Sequence, residues 1–167
     1  FYSCQWERAS QMFANIKILA DRYEIAAVKI GIMPSAVPLM RLIRYLHELL
    51  PKVPLVIDPI MRPTGADYAF IGTITMNFLK ILQPTDVIAP NTIEYRALFA
   101  PLFRPGEYPL DTNLLITGGH DGIGTKFVTD TLYTPEGKYD LRMPRVAGHK
   151  HTHPTLTPAA AERLPAP

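Results

Sequence analysis

Four short apolar segments end in polar or small residues that could bind a cation or a phosphate. The endings are Gly31-Ile32-Met33-Pro34, Asp58-Pro59-Ile60-Met61, Ala89-Pro90-Asn91-Thr92-Ile93-Glu94 and Thr117-Gly118-Gly119-His120. Carboxylate oxygens bind hard cations, and Mg²⁺ that bridges substrate phosphates needs only one or two protein carboxylates. Glycines let the backbone approach a ligand, and their amides can cradle phosphate oxygens. Asp58 and Glu94 are therefore candidate cation ligands, and Gly118-Gly119 is a candidate phosphate turn.

Three of these endings also have a purely structural interpretation. Asn91 followed three residues later by Glu94 has the spacing of a capping box. This does not exclude a functional role, because a capping Glu at a strand exit can still face a ligand. Asp58 before Pro59 is typical of a turn that ends a strand, and Gly118-Gly119 is compatible with a simple tight turn. The chain contains no Walker A pattern, which disfavours a P-loop nucleoside triphosphatase.

The segments that carry these residues alternate between helical and extended patterns. Apolar spacings of three and four predict helices over residues 5–23 and from Ser35, a candidate N-cap, to residue 50; shorter helical patterns cover 75–82 and 92–99. Apolar runs at 26–32, 55–58, 86–89 and 113–117 predict buried strands, and 125–145 predicts a β-hairpin. This alternation indicates an α/β fold with a mostly parallel sheet, helices on both faces and a C-terminal hairpin. Ligands of such sheets bind beyond the carboxyl ends of the strands.

The composition fits one globular domain with a real core. The 167 residues are 47% apolar and 19% charged, with a formal net charge of only +2, so no global basic field indicates nucleic-acid binding. A single cysteine, Cys4, excludes an internal disulfide scaffold. No apolar run reaches the ~20 residues of a membrane span, and no signal-peptide pattern opens the chain, so we expect a cytoplasmic protein. The 17 prolines are about twice the usual ~5% share.

In combination, the order and spacing of the strand endings resemble the phosphomethylpyrimidine kinase family of the ribokinase-like superfamily. The resemblance rests on Val28-Lys29-Ile30-Gly31, Val56-Ile57-Asp58-Pro59-Ile60-Met61, Ala89-Pro90-Asn91-x-x-Glu94 and Thr117-Gly118-Gly119-His120, and it runs from about Trp6 to Arg145. It implies a three-layer ribokinase-like fold. It also implies phosphorylation of hydroxymethylpyrimidine and its monophosphate in thiamine biosynthesis, with ATP and Mg²⁺. A small pyrimidine alcohol or its phosphate would be the partner, and a homodimer is compatible with the family.

The same resemblance implies roles for individual residues. Asp58 and Glu94 would lie near the metal, and the nucleotide would meet Asn91, Glu94, Thr117, Gly118 and Gly119. The pyrimidine pocket would be lined by Gly31, Ile32 and Ile60. Thr117 stands where the family often has Lys, so this position supplies no positive charge toward the phosphates. Lys29 is interpreted as structural or as a residue at the pocket edge.

Two features of the family are not found in this sequence. A Gly-rich segment with Asp and Ser would precede Phe1, and a Gly-Thr-Gly-Cys catalytic loop would fall near residues 152–156. That segment reads Thr-His-Pro-Thr-Leu; it has no glycine, and Pro154 lacks an amide proton, so it cannot form the same anion hole. We therefore assign no catalytic residue and expect residues 1–150 to be a partial kinase domain, incomplete at both ends. Residues 151–167 would be a Pro/Ala-rich tail.

Other interpretations stay open at this point. A pyridoxal or sugar kinase of the same superfamily is one, although the Asp-Pro-Ile-Met and Gly-Gly-His segments argue against it. A non-catalytic nucleotide-binding or scaffold protein is another, and the glycine-free segment near residue 152 favours it. For the leading interpretation, an incomplete phosphomethylpyrimidine kinase, we expect the 167-residue chain to lack full activity.

Overall fold

Six strands form one sheet in the computed structural model, which describes residues 7–61, 74–103, 111–119 and 125–145. The strands are β1 Val28–Ile30, β2 Leu55–Ile57, β3 Val87–Ile88, β4 Asn113–Ile116, β5 Phe127–Thr134 and β6 Gly137–Pro144. They are ordered β1-β2-β3-β4-β5-β6, and the first four are parallel. β5 and β6 continue the sheet in antiparallel pairing as a hairpin. The predicted α/β class, mostly parallel sheet and C-terminal hairpin are confirmed.

The helices are α1 Ala9–Arg22, α2 Ala36–Leu49, α3 Met76–Leu79 and α4 Thr92–Glu94. The α4 helix continues into a π-helical turn, Tyr95–Phe99, and a 3₁₀ turn, Ala100–Leu102. Ser35 stands at the N-cap position of α2, but its side chain makes no capping hydrogen bond. The α2 helix is instead held by its apolar stripe, in which Leu39, Leu42, Ile43 and Leu46 are all buried.

The central strands are buried on both faces. Neighbouring residues in a strand point to opposite faces, and Val87 with Ile88 on β3 and Leu114 with Leu115 on β4 are all buried. This arrangement explains why these strands read as continuous apolar runs in the sequence rather than as an alternating pattern.

A buried carboxylate holds the amino ends of the strands together. Asp86, just before β3, is fully buried and accepts hydrogen bonds from the backbone N–H groups of Leu55 at 3.0 Å and Gln83 at 2.8 Å. His47 of α2 places Nε2 at 2.9 Å from the same carboxylate. Because these partners satisfy the carboxylate, this end of the sheet is a structural anchor, and the opposite, carboxyl end is left for function.

The α1 helix lies more loosely on the molecule than α2. It buries no residue completely. It contacts α2 through the stacked rings of Phe13 and Tyr45, whose centroids are 4.5 Å apart, and through the hydrogen bond that the Tyr45 hydroxyl donates to the Phe13 carbonyl. Among the described residues, β1 has a sheet neighbour on one side only. A largely apolar cavity of about 320 Å³ lies between α1, β1 and α2. Within the described ranges, the helices are too short or too polar to cross a bilayer.

Candidate active site

The carboxyl ends of the four parallel strands lie side by side. The Asp58 N–H donates to the Ile30 carbonyl at 2.8 Å, and the Thr117 N–H donates to the Pro90 carbonyl at 2.9 Å. Between them, the Ala89 N–H donates to Ile57 at 2.8 Å. These bonds extend the pairing of the strands into the segments that leave them, so the four endings singled out in the sequence share one edge of the sheet.

Glu94 joins the exit of β2 to the exit of β3. Its side chain is only 6% exposed, and its Oε2 accepts the N–H of Asn91 at 2.9 Å. Its Oε1 accepts the N–H of Met61 at 3.3 Å, 33 positions away in the sequence. The Asn91 Oδ1 in turn accepts the N–H groups of Ile93 and Glu94, both at 2.9 Å. The capping box is confirmed, and the contact with Met61 makes Glu94 a link between two strand exits as well.

Asp58 pairs with a lysine from the neighbouring strand. Lys29 Nζ of β1 lies 3.2 Å from Asp58 Oδ2, and the Asp58 side chain keeps 26% of its surface exposed. The Lys29 side chain is 62% exposed, so solvent screens this pair. The pair places one accessible carboxylate and one accessible cation at the same edge of the sheet, where the sequence had suggested only a structural or pocket-edge position for Lys29.

Thr117 and the glycine turn are held between β3 and β5. Thr117 forms a parallel bridge with Asn91, and its carbonyl accepts the Thr92 N–H at 3.3 Å. The Gly118 N–H donates to Asp130 Oδ1 of β5 at 2.8 Å. A Cβ on Gly118 would overlap the backbone carbonyl oxygen of Thr129, so the close approach of β5 requires glycine there. In this structure the Gly118 amide is therefore used within the fold.

Asp130 and Arg145 belong to this neighbourhood but were not singled out in the sequence. Asp130 is only 9% exposed, and its burial raises the pKa of the carboxyl group, an effect that the Gly118 N–H partly offsets. Arg145, after β6, directs Nη1 to the Gly119 carbonyl at 3.5 Å. The available sequence signal for Asp130 was a carboxylate inside the apolar pattern of a hairpin strand, which is an unusual position for a charged residue.

Of the three candidate substrate residues, only Gly31 lines the cavity. Gly31 lines the cavity between α1, β1 and α2, and no atom lies within 4 Å of the place where its Cβ would be. Lys29 lines the same cavity, and the rest of the lining is apolar. Ile32 is exposed and Ile60 is half-buried, and neither lies on the cavity wall. The structure thus brings Gly31 and Lys29 to the cavity, whereas Asp58, Glu94 and the glycine turn lie along the strand exits.

Several predicted features lie outside the described residues. They are His120 of the glycine ending, the segment 152–156 in which the family loop would fall, and the tail 151–167. The boundary between a domain and a tail near residue 150 therefore stays a prediction.

The carboxylates are compatible with a magnesium ion held mainly by phosphates and water. The side chain of Asp58 is partly exposed, and each oxygen of Glu94 accepts one backbone N–H. In the described part of the chain, no group of three or more His, Cys, Asp or Glu side chains forms a metal cluster. A site with one or two carboxylates is what Mg²⁺ on a nucleotide requires, whereas an all-protein cage is not needed.

The sheet, its antiparallel hairpin and the polar edge are those of a ribokinase-like phosphotransferase. The phosphomethylpyrimidine kinase family matches residues 5–162, nearly the whole chain, and the protein belongs to this family. Comparison with curated proteins gave no match. The family assignment that the strand endings suggested is confirmed, and the protein is a kinase at the level of the family.

Proposed function

We propose that the protein binds ATP with Mg²⁺ at the carboxyl edge of its sheet and acts on hydroxymethylpyrimidine and its monophosphate, in thiamine biosynthesis. The proposal is carried by one observation: Glu94 bonds to the exits of both β2 and β3, while Thr117 pairs with Asn91. The partly exposed carboxylate of Asp58, the capped start of α4 and the Gly118-Gly119 turn therefore lie along the carboxyl edge of the sheet. Phosphoryl transfer depends mainly on positioning and electrostatic stabilisation, which such an edge can provide.

The nucleotide side of the site is assigned to β3 and β4. Asn91, Glu94, Thr117, Gly118 and Gly119 would border the phosphates. Asp58 would hold Mg²⁺ directly, and Glu94 would do so through water, because backbone N–H groups already occupy part of its capacity. When bound, Mg²⁺ neutralises charge on the phosphate oxygens. Arg145 at the Gly119 carbonyl would supply positive charge near Thr117, and Lys29 beside Asp58 would supply it at the exits of β1 and β2.

The acceptor side is assigned to β1 and the exit of β2. Gly31 leaves open space where a Cβ would lie, and it would contact a pyrimidine ring there. Ile32 and Ile60, which do not line the cavity, would contact the ring from the strand exits. We assign no catalytic base, because the segment at residues 152–156 has no glycine and cannot form the family's amide nest. The expected behaviour is nucleotide binding with little turnover, since loss of such donors costs orders of magnitude in rate.

A non-catalytic nucleotide-binding protein is the second candidate, and the glycine-free segment near residue 152 is the observation that favours it. The two candidates share the nucleotide site and differ only in whether a phosphate is transferred. A pyridoxal or sugar kinase would differ from the pyrimidine kinase in its acceptor.

The test combines calorimetric titration of ATP, with and without Mg²⁺, and an assay of ADP formation. The acceptors are hydroxymethylpyrimidine, its monophosphate, pyridoxal and ribose. We expect Mg²⁺-dependent ATP binding that Asp58→Asn weakens by about tenfold or more, as expected for loss of a charged ligand. Asp140→Asn is the matched control, because Asp140 is exposed on the hairpin and faces Lys138 at 3.4 Å.

Each outcome separates the candidates. ADP formation specific to the two pyrimidines supports the kinase, whereas turnover with pyridoxal or ribose assigns another acceptor. Binding without any turnover supports the non-catalytic protein. Absence of Mg²⁺-dependent binding by the unmodified chain, or equal binding by Asp58→Asn, contradicts the proposal. Sedimentation of the same samples tests whether the protein forms the homodimer that the family resemblance implies.

A further inference from the structure

The junction between β4 and β5 is built in an unusual way. Backbone pairing runs up to Ile116, which lies opposite Thr131, and the same register continues to place Gly118 opposite Thr129. The β4–β5 ladder stops before that point, whereas the pairing with β3 continues, since Thr117 donates its N–H to Pro90. At Gly118 a side chain replaces the next rung, since its N–H donates to the carboxylate of Asp130.

A buried carboxylate is a costly way to satisfy one N–H. Asp130 is 9% exposed, and burial raises its pKa, so the charged form is disfavoured relative to water. Hydrogen bonds to a charged acceptor are, however, shorter and stronger than neutral ones. On this strand, therefore, Asp130 fixes the Gly118 backbone more firmly than a neutral packing residue could.

The turn is also confined from its other sides. Thr129 leaves no room for a Cβ on Gly118, and Arg145 Nη1 reaches the Gly119 carbonyl. The hairpin β5–β6 thus contributes three separate contacts to two consecutive glycines, through a backbone oxygen, a carboxylate and a guanidinium. These contacts set where the glycine backbone lies at the sheet edge.

We propose that Asp130 is a positioning residue, which fixes the Gly118–Gly119 turn so that the turn can border a nucleotide phosphate. The part that concerns the nucleotide rests on the proposed function. Because the Gly118 N–H donates to Asp130, the Gly118 backbone is held in place and does not bind phosphate. The N–H group that would donate to a phosphate is that of Gly119. Asp130 itself does not touch the ligand.

The first experiment measures hydrogen exchange of the Gly118 amide in the nucleotide-free protein. In Asp130→Ala we expect this amide to exchange about tenfold faster or more, relative to the Leu114 amide, because its acceptor is removed. Asp130→Asn keeps an oxygen acceptor and is expected to restore most of the protection. Unchanged exchange in Asp130→Ala overturns the proposal. If that variant does not fold, Asp130→Leu, which has the same branching but no hydrogen-bond acceptor, takes its place.

The second experiment measures the Kd for ATP with Mg²⁺ in the same variants. We expect Asp130→Ala, which has no acceptor, to weaken ATP binding about tenfold. Asp130→Asn keeps one oxygen acceptor and should weaken it less than about threefold. Asp140→Ala, on the exposed side of the hairpin, is the control and leaves the Kd unchanged. A lower melting temperature in Asp130→Ala with an unaltered Kd shows a merely structural role and overturns the proposal.

The two experiments also separate this inference from the function on which it rests. If the unmodified chain binds no nucleotide, the proposed function fails, and the exchange of the Gly118 amide still decides whether Asp130 fixes the turn. If nucleotide binds and Asp130→Ala binds it equally well, only the positioning role fails.

Discussion

Glu94 shows how one side chain can stabilise the fold and arrange a site at once. Its two oxygens accept N–H groups from Asn91 and from Met61, which leave different strands. Because the side chain is buried, a variant without an acceptor leaves two donors unsatisfied where water has little access. The position of the strand exits and the stability of the protein therefore depend on the same carboxylate.

We predict that Glu94→Ala lowers the free energy of unfolding by about 1–3 kcal/mol, the cost of leaving buried polar groups unpaired. Glu94→Gln keeps one oxygen acceptor and should lose clearly less. Urea unfolding followed by circular dichroism measures both. Equal losses in the two variants would show that the hydrogen bonds to Met61 and Asn91 contribute little.

Asp130 makes a prediction about pH. Its pKa is raised above the ordinary value of 3.8, mainly by burial. Between pH 3.8 and the raised pKa, the Asp130 carboxyl group binds more protons in the folded protein than in the unfolded chain. The contribution of Asp130 to stability is therefore fully present below pH 3.8 and is lost as the pH rises through the raised pKa.

The measurement compares unfolding of the unmodified protein and of Asp130→Asn across that range. We expect the stability of the unmodified protein relative to the variant to fall as the pH rises. Asp140→Asn serves as the control, because its carboxylate is exposed on the same hairpin. A stability difference that stays constant with pH, or one that grows as the pH rises, would contradict a raised pKa for Asp130.

At the level of elements, two glycines at strand exits differ in what surrounds them. Gly118 lies against the Thr129 backbone, and a Cβ there would overlap the carbonyl oxygen. Gly31, at the exit of β1, has nothing within 4 Å of its Cβ position. The first glycine is required by the packing of β5 on the exit of β4, whereas the second leaves space.

We predict that Gly118→Ala destabilises the protein by about 1–3 kcal/mol or more, as overpacking against a backbone does. Gly31→Ala should stay within about 0.5 kcal/mol of the unmodified protein. Thermal unfolding of the pair measures the difference. Similar melting temperatures for the two variants would mean that β5 can shift away from Gly118 at little cost.

The elements themselves were largely predictable from the sequence. Central strands buried on both faces give short continuous apolar runs, and the stripe of α2 gives spacings of three and four, so both left clear signals. The helix expected over 92–99 is a single α-helical turn that continues as a π-helical turn. The choice between these helical forms depends on packing around Leu98 and Phe99, and local spacing does not reveal it.

The sequence predicted which edge of the sheet carries the candidate site, but not the hydrogen bonds that join separate strands there. Parallel strands end at one edge, so the four polar endings could be placed together from topology alone. The bonds from Met61 to Glu94 and from Gly118 to Asp130 join residues 33 and 12 positions apart. They depend on how neighbouring strands are staggered, and no local pattern in the sequence records that stagger.

Over the whole molecule, burial is unevenly distributed between two helices of equal length. Both α1 and α2 have 14 residues, but α2 buries four apolar side chains and α1 buries none. Leu19 of α1 remains 51% exposed beside the cavity at the β1 edge. Since full burial of a Leu or Ile contributes about 1.5–3 kcal/mol, α1 is bound to the rest of the protein by several kcal/mol less than α2.

We therefore predict that α1 opens independently of the remaining fold. Its amides should exchange with solvent at least about 100-fold faster than those of α2, after correction for intrinsic rates, because local openings need only the smaller free energy. Hydrogen exchange read by mass spectrometry or NMR measures both helices in one sample, so α2 is the internal control. Tyr45→Phe removes the hydroxyl that donates to the Phe13 carbonyl at 3.1 Å and should accelerate α1 further, while α2 keeps its protection. Equal protection of the two helices would show that α1 unfolds only with the whole molecule, and that its partly covered apolar stripe is sufficient to hold it.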